Sequence, residues 1–394
     1  MGNLINLLGK QVIDFPFGKA GGWFPFIGEM CYGLISWIYG NGILGYGLAI
    51  IIFTILLKLI LSPLDFINRY FSKKNGIAMA KMKPDLDAVK QQYGNEPAKM
   101  MAMQQEVYKK HDYHMGGFLM FMLLNMFVIM AVFFSVFGAL NDIADLNVKN
   151  TVKSLQADYK TYNNTEEFDA KINKTYGERM IGFIWIKNIW RADTPWTSAN
   201  VTREEYIAYA NKTGYADIKD GEGKVTSSIN DQLGKEFDKI FGVVKPDQKR
   251  DWNGLMILII FAGTTTWAST VLNSMITTKK REAEKPKEEV VDYSMRDAKN
   301  RADQTAPAID PVMMNRIMKF VLPAIMVFFT MMSTAALAIY IITSSVMGTL
   351  TTLAFNKPVD KLLEMQEKKK SARSTEVDPK IINPHSKYFK SKRK

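Results

Sequence analysis

The sequence predicts an all-α integral membrane protein with five transmembrane helices, an outer amphipathic helix and a cytoplasmic helical hairpin. Three observations carry this. The 394 residues are 47% hydrophobic, and the apolar residues fall in a few blocks separated by strongly polar stretches. Five of those blocks approach the ~20 apolar residues that a bilayer-spanning helix needs. The polar stretches offset the blocks, which is why mean hydropathy is only −0.09.

In chain order, residues 1–42 read as an extracytoplasmic N-terminus. Its start, MGNLINLLGKQVIDFPFG, lacks both an uninterrupted apolar run and a small-residue cleavage site, so targeting falls to the first span. Within it, 24–40 (FPFIGEMCYGLISWIYG) has one charge and Trp/Tyr pairs near its ends. It reads as an amphipathic interfacial helix, with a plain lead-in to the first span as the competing reading. The first span covers 43–63. Residues 64–115 read as a cytoplasmic hairpin of two helices: Pro84 can open a helix, Gly94 can end one, Asn95 can cap the next, and Pro97 sits early in it. A second span follows at 116–138, then a long polar extracytoplasmic insertion at 139–253 and a third span at 254–277. The loop 278–312 is charged and Pro-containing, and reads as mobile. The apolar run Ile317 to Phe355 is too long for one helix, so it divides into spans at 313–334 and 335–356, with a tight hairpin at Ser333 and Thr334. A basic tail, 357–394, ends KYFKSKRK.

Lys and Arg cluster on one side: Arg69, Lys73 and Lys74, Lys109 and Lys110, Lys279 to Arg281, Arg316 and Lys319, Lys357 and Lys361. By the positive-inside rule the N-terminus is outside and the C-terminus cytoplasmic, in a plasma membrane.

The composition excludes several function classes. One Cys (Cys31) and three His give no disulfide framework and little material for zinc. No GxxxxGK[ST], HExxH, CxxC or GxGxxG pattern is present, so neither an enzyme nor a cofactor is expected. KDGEGKVTSS resembles part of a calcium loop, but alignment on Gly223 puts Ile218 and Ile229 at two ligand positions. Asn-x-Thr sequons begin at Asn163, Asn173, Asn200 and Asn211. The net charge of +12 points to anionic lipid or ribosomal RNA as partner, not to specific DNA binding.

Lys58 is the informative residue, the only ionisable side chain well inside a span. A charge in hydrocarbon costs ~2.5–3.5 kcal/mol on insertion scales and usually faces water or a partner. No Asp or Glu lies in any span, which favours a wet groove, and Thr54 one turn earlier faces the same way. The competing reading is that Lys58, five residues before Pro63, snorkels to the surface. Asn125, Thr264 to Thr266, Thr270 and Thr343 to Ser345 suit a hydrophilic groove, or simply pack spans together. Met79, Met82, Met100, Met101 and Met103 give the hairpin a soft apolar face for varied partners, or pack its two helices on each other.

Several of these stretches resemble the YidC/Oxa/Alb family of membrane insertases, in its Gram-positive form. They are YGLAIIIFTILLKLILSPLDF (46–66), the hairpin MAKMKPDLDAVKQQYGNEPAKMMAMQQEVYKKH (79–111), Gly116–Gly117, FIWIKNIW (183–190) and AALAIYIITS (335–344). The resemblance covers about 45–138, 181–192 and 252–356. It implies a five-helix core with a groove open to cytoplasm and lipid but closed outside. Lys58 matches the basic groove position, where Arg is usual; Thr54 matches another groove position, and Tyr340 the family's Tyr in the last span. The implied groove is Lys58, Thr54, Asn125, Thr266, Thr270, Tyr340 and Ser344, with the Met hairpin recruiting substrate. The second span departs from the family's GGCxPxLLQxP: it reads GGFLMFMLLNMF, without either proline and with Asn125 one place off the usual Gln. The outer loop is also unusually long.

The implied function is insertion of nascent membrane proteins into a bilayer containing anionic lipids, with the ribosome (through the basic tail) and a Sec translocon as further partners. Two rivals stand beside it. One is an assembly scaffold or chaperone working next to a translocon. The other is a small-solute transporter, which would require paired intramembrane charges or broken helices in repeated halves.

Overall fold

A computed structural model describes residues 25–40, 45–111, 113, 115–222, 225–249, 251–283 and 311–375. The expected N-terminal stretch before Pro25, most of the 278–312 loop and the end of the tail lie outside these residues.

The described chain is helical apart from one two-stranded ribbon. In order it forms α1 (Pro25–Gly40), α2 (Tyr46–Tyr93), α3 (Pro97–Lys110), α4 (Met115–Tyr162), α5 (Phe168–Arg179), α6 (Arg203–Tyr209), β1 (Ile218–Lys219), β2 (Val225–Ser227), α7 (Ile229–Val243), α8 (Ile257–Ala283), α9 (Pro311–Met332) and α10 (Ala335–Thr375). Among the described residues, α2, α4, α8 and α10 are long and apolar enough to cross a membrane, and the apolar stretch of α9, Pro323–Met332, is shorter. This is an α-helical integral membrane protein.

Two compact units divide the chain. One comprises Met1–Ile60, Leu119–Met275 and Ala306–Gly348; the other comprises Leu61–Phe118, Ile276–Thr305 and Thr349–Lys394.

In the first unit, α1 buries Gly28, Cys31, Ile35 and Ile38, spaced three and four residues apart, and exposes Phe26, Met30 and Trp37. It is therefore apolar on both faces, and a Cβ on Gly28 would stand 4.0 Å from the Ser135 carbonyl of α4. Helix α4 does not stop at residue 138, where the sequence places a span end. It continues to Tyr162 because apolar side chains keep helical spacing: Leu140, Ile143, Ala144, Val148, Val152 and Leu155 are all buried. The 139–253 insertion is accordingly not a loop but a folded domain. Val152 and Leu155 pack with Phe168, Ile172 and Tyr176 of α5, Tyr206 of α6, and Leu233 and Ile240 of α7. Capping boxes start α6 (Thr202 with Glu205) and α7 (Ser228 with Asp231), satisfying N–H groups that a helix leaves unpaired. Buried Glu236 accepts hydrogen bonds from Tyr206 and Tyr215. Three of the four sequon asparagines are built in: Asn173 donates to the Val243 carbonyl, Asn200 accepts from Tyr176, and Asn163 is half-buried, leaving Asn211 exposed.

Helices α9 and α10 are separated by Ser333 and Thr334 alone. Neither Gly nor Pro makes this break. Ser333 donates to Asn141 of α4, and the first N–H groups of α10 find partners outside the helix, as described below.

In the second unit, the C-terminal part of α2 and α3 form an antiparallel-type helical hairpin around Met82, Val89, Tyr93, Ala102, Met103 and Val107. Two expectations are corrected here. Pro84 lies inside α2 rather than at a helix start; its φ suits a helix, and the bond it removes is outweighed by the buried residues on either side. Glu96, not Asn95, is the N-cap of α3, with Pro97 in the first turn. The turn needs Gly94, since a Cβ there would stand 2.6 Å from the Lys90 carbonyl. Helix α10 also outruns its expected end at 356, passing through Pro358 to Thr375. Lys73, 5% exposed, bonds Asp360 at 2.7 Å and the Asn356 carbonyl at 2.9 Å, while Tyr70 bonds Gln366 and Lys81 pairs with Glu367. The α2 arm and the α10 extension thus run side by side in the same direction.

Candidate functional site

Lys58 sits at the edge of a stripe on α2. Ile50, Phe53, Thr54 and Leu57 are buried, whereas Leu56, Leu59 and Ile60 are exposed, and Lys58 between them is half-buried. It makes no hydrogen bond or ion pair among the described residues. Thr54 shares its face by helical spacing but is fully buried, its hydroxyl donating to the Ile50 carbonyl at 2.7 Å.

The remaining polar side chains of the spans are mostly satisfied by their own helices. Thr264, Thr265, Thr266 and Thr270 of α8, and Thr343 of α10, each donate to a carbonyl three or four residues earlier. Thr266 is also buried against α10, its hydroxyl 3.1 Å from that of Ser345. Tyr340 is buried. Asn125, Thr270 and Ser344 are half-buried. The structure therefore brings Thr266 of α8 to Ser345 of α10 as a helix-packing pair. Thr54, Thr266 and Tyr340 are closed off, so the half-exposed polar set within the unit is Lys58, Asn125, Thr270 and Ser344.

The methionines of the hairpin pack its two helices on each other. Met82 and Met103 are fully buried between α2 and α3, and Met79 and Met100 pack against that cluster; Met101 is half-buried outside it. The sulfur-rich face binds the hairpin's two helices together. Asp85 supports the same junction by bonding His111 at 2.9 Å and Lys110 at 3.3 Å.

Asn253 and Asp193, which no sequence motif singles out, build a junction at the helix ends beside the inserted domain. Asn253, fully buried, donates through its amide to the carbonyls of Asn188 (2.8 Å), Arg191 (3.1 Å) and Ala192 (2.9 Å), and accepts from the Asn188 N–H at 2.8 Å. Asp193 accepts from the Leu258 N–H at 2.7 Å, holding the first turn of α8. Burial pushes its carboxyl up from the ordinary value, and the N–H groups of Leu258, Leu255 and Met256 oppose that rise. The first N–H groups of α10, on Ala335 and Ala336, donate to the carbonyls of Arg191 and Ile189. The Arg191 guanidinium meanwhile grips both carboxylate oxygens of Glu205 on α6. One irregular stretch, 186–193, thereby fastens the starts of α8 and α10 to each other and to the inserted domain.

The model of the 60Kd inner membrane protein family matches residues 37–362, most of the chain and all of the helices just described except most of α1 and the end of α10. The chain belongs to this family. Among curated relatives, it is 38% identical over 101 residues to the membrane protein insertase YidC of Aromatoleum aromaticum, a stretch covering 24% of this chain and 17% of the relative. It is 32% identical over 120 residues to that of Jannaschia sp., covering 29% and 17%. To that of Clostridium tetani it is 28% identical over 113 residues, covering 29% of this chain and 49% of the relative. The matched stretches thus span less than half the length of these relatives.

Proposed function

We propose that this chain is a membrane protein insertase, with its N-terminus outside and C-terminus cytoplasmic in the plasma membrane. Lys58 would supply the positive charge of a hydrophilic groove. The observation that carries this is Lys58 itself: a half-buried ammonium in an apolar helix, with no partner among the described residues, in a family whose curated members are named insertases. An ammonium in that setting attracts water and anionic groups. A client's polar outer tail, especially an acidic one, then meets a shorter apolar barrier, and its apolar span leaves for lipid with ~25 cal/mol gained per Å² buried. Nucleotide has no role in these steps. Nascent membrane proteins are the substrates and anionic lipids the surroundings; the ribosome and a Sec translocon are further partners on this reading, the tail that would meet the ribosome lying largely outside the described residues.

The test is proximity of a client to Lys58. A photo-reactive amino acid at position 58 should crosslink a single-span client during insertion, whereas the same group at lipid-facing Leu59 should crosslink lipid. Equal client yield at both positions, or none at 58, would overturn the groove. A second reading, an assembly scaffold without insertion, is favoured by one observation: Thr54, Thr266 and Tyr340, three of the seven groove positions, are buried.

A further inference from the structure

The inserted domain presents an apolar tip that its own fold does not use. Phe183 and Ile186 form a one-bridge hairpin, and Ile184 at its turn has φ of 56° and is 77% exposed. A β-branched residue rarely adopts that conformation, because its Cβ crowds the backbone. The root of the hairpin is fixed on two sides. Phe183 lies where a Cβ on Gly47 of α2 would stand, so only glycine admits it, and the Lys187 N–H donates to the Asn253 carbonyl beside α8. With the root held, Ile184 is aimed outward.

Other exposed apolar side chains stand around the same root. Trp196 is 64% exposed and lies two residues beyond Thr194, whose carbonyl accepts from the Gly254 N–H. Trp252 and Leu255 are exposed in the connection into α8, with the Lys187 ammonium over the Trp252 ring. From Leu255 the exposed apolar row continues down α8 through Ile260, Phe261, Trp267 and Leu272, which is the lipid face of that span.

We infer that this tip, Ile184 with Trp196 and Trp252, inserts into the membrane interface of the leaflet on the inserted domain's side. The domain is thereby anchored to lipid as well as to the helix ends. The occupant is lipid rather than a protein partner because the patch is continuous with the lipid face of α8. Its chemistry also agrees: indoles, one aliphatic wedge and a lysine stacked on a ring suit a boundary that is apolar on one side and wet on the other. The inference rests on the membrane fold and not on insertase activity.

The experiment places a nitroxide at single cysteines, Ile184→Cys, Trp196→Cys and Trp252→Cys, each with Cys31→Ser, in nanodiscs of phosphatidylcholine and phosphatidylglycerol. Lys212→Cys, exposed elsewhere on the domain, is the aqueous control. Labels at the three tip positions should collide more with oxygen than with a water-soluble nickel chelate, and Lys212 should show the reverse. Tip labels that match Lys212 would place the tip in water; tip labels shielded from both reagents would indicate a protein partner, and either result overturns the inference. Trp196→Phe gives a check without labelling: quenching by lipids brominated high on the chain should fall relative to the parent, and unchanged quenching counts against the tip.

Discussion

The helix ends beside the inserted domain and the middle of the spans treat polar groups in opposite ways. At residues 186–193, 253–258 and 335–336, buried amides, a carboxylate and helix N–H groups bond across three separate elements. Midway along α2, α8 and α10, hydroxyls bond mainly to their own helix, and Lys58 bonds to nothing among the described residues. A hydrogen bond between elements fixes their spacing; one within a helix satisfies the hydroxyl and leaves the helix free to separate from its neighbour. The helix ends beside the inserted domain are thus locked to one another, and the middle of the spans is not.

Substitutions at the lock should therefore cost far more stability than those at the middle. Asn253→Ala leaves the Asn188 N–H without its acceptor and takes one of two donors from each of three carbonyls, and should lower unfolding stability by about 3 kcal/mol, read as a fall in melting temperature of the purified protein in detergent. Gly254→Ala comes next. Its Cβ would stand 1.8 Å from an Asp193 carboxylate oxygen, so the carboxylate must leave Leu258, at about 2 kcal/mol by the same measurement. Thr266→Val removes one interhelical bond and should cost under about 1 kcal/mol. If Thr266→Val proved as costly as Asn253→Ala, the contrast between the two regions would be gone.

The smallest effect concerns the inserted domain. Burial, then the bond to Glu236, pushes the Tyr215 phenol up to about 12, and Tyr206 is pushed up further for the same reasons. A raised folded-state value favours the neutral phenol, so this stabilisation is fully present below the unfolded value near 10 and is lost as pH rises through the folded one. Alkaline titration followed by phenolate absorbance should show Tyr206 and Tyr215 ionising late, together with loss of the domain's near-ultraviolet dichroism. Early, independent ionisation would mean the Glu236 network is open to water.

How much of this was legible in the sequence depends on what kind of signal each element leaves. Apolar blocks are local, so the four long apolar helices and the division at Ser333–Thr334 could be read directly. The extension of α4 to Tyr162 could have been found in the spacing of Leu140, Ile143, Val148, Val152 and Leu155, but hydropathy ends at residue 138 and masks it. Pro84 reads as the opening of a helix, whereas packing on both sides carries α2 through it. Burial of Met82 and Met103 is a tertiary fact: an amphipathic Met stripe looks the same whether it faces a client or a neighbouring helix. The lock was the least legible part. Asn253 meets Asn188 across 65 residues, and nothing nearby in sequence distinguishes it from the other asparagines of a polar insertion. Lys58 was legible because one charge in an apolar run stands out wherever the chain goes.

The most direct measurement is insertion of a single-span client with a short acidic outer tail into liposomes containing the purified protein and no translocon, comparing Lys58, Lys58→Arg and Lys58→Ala. The account predicts insertion that persists with Arg and drops with Ala, while melting temperature stays equal or rises because a costly charge has left the span. Equal insertion by all three would contradict the charged groove and reduce Lys58 to a side chain that snorkels to the surface.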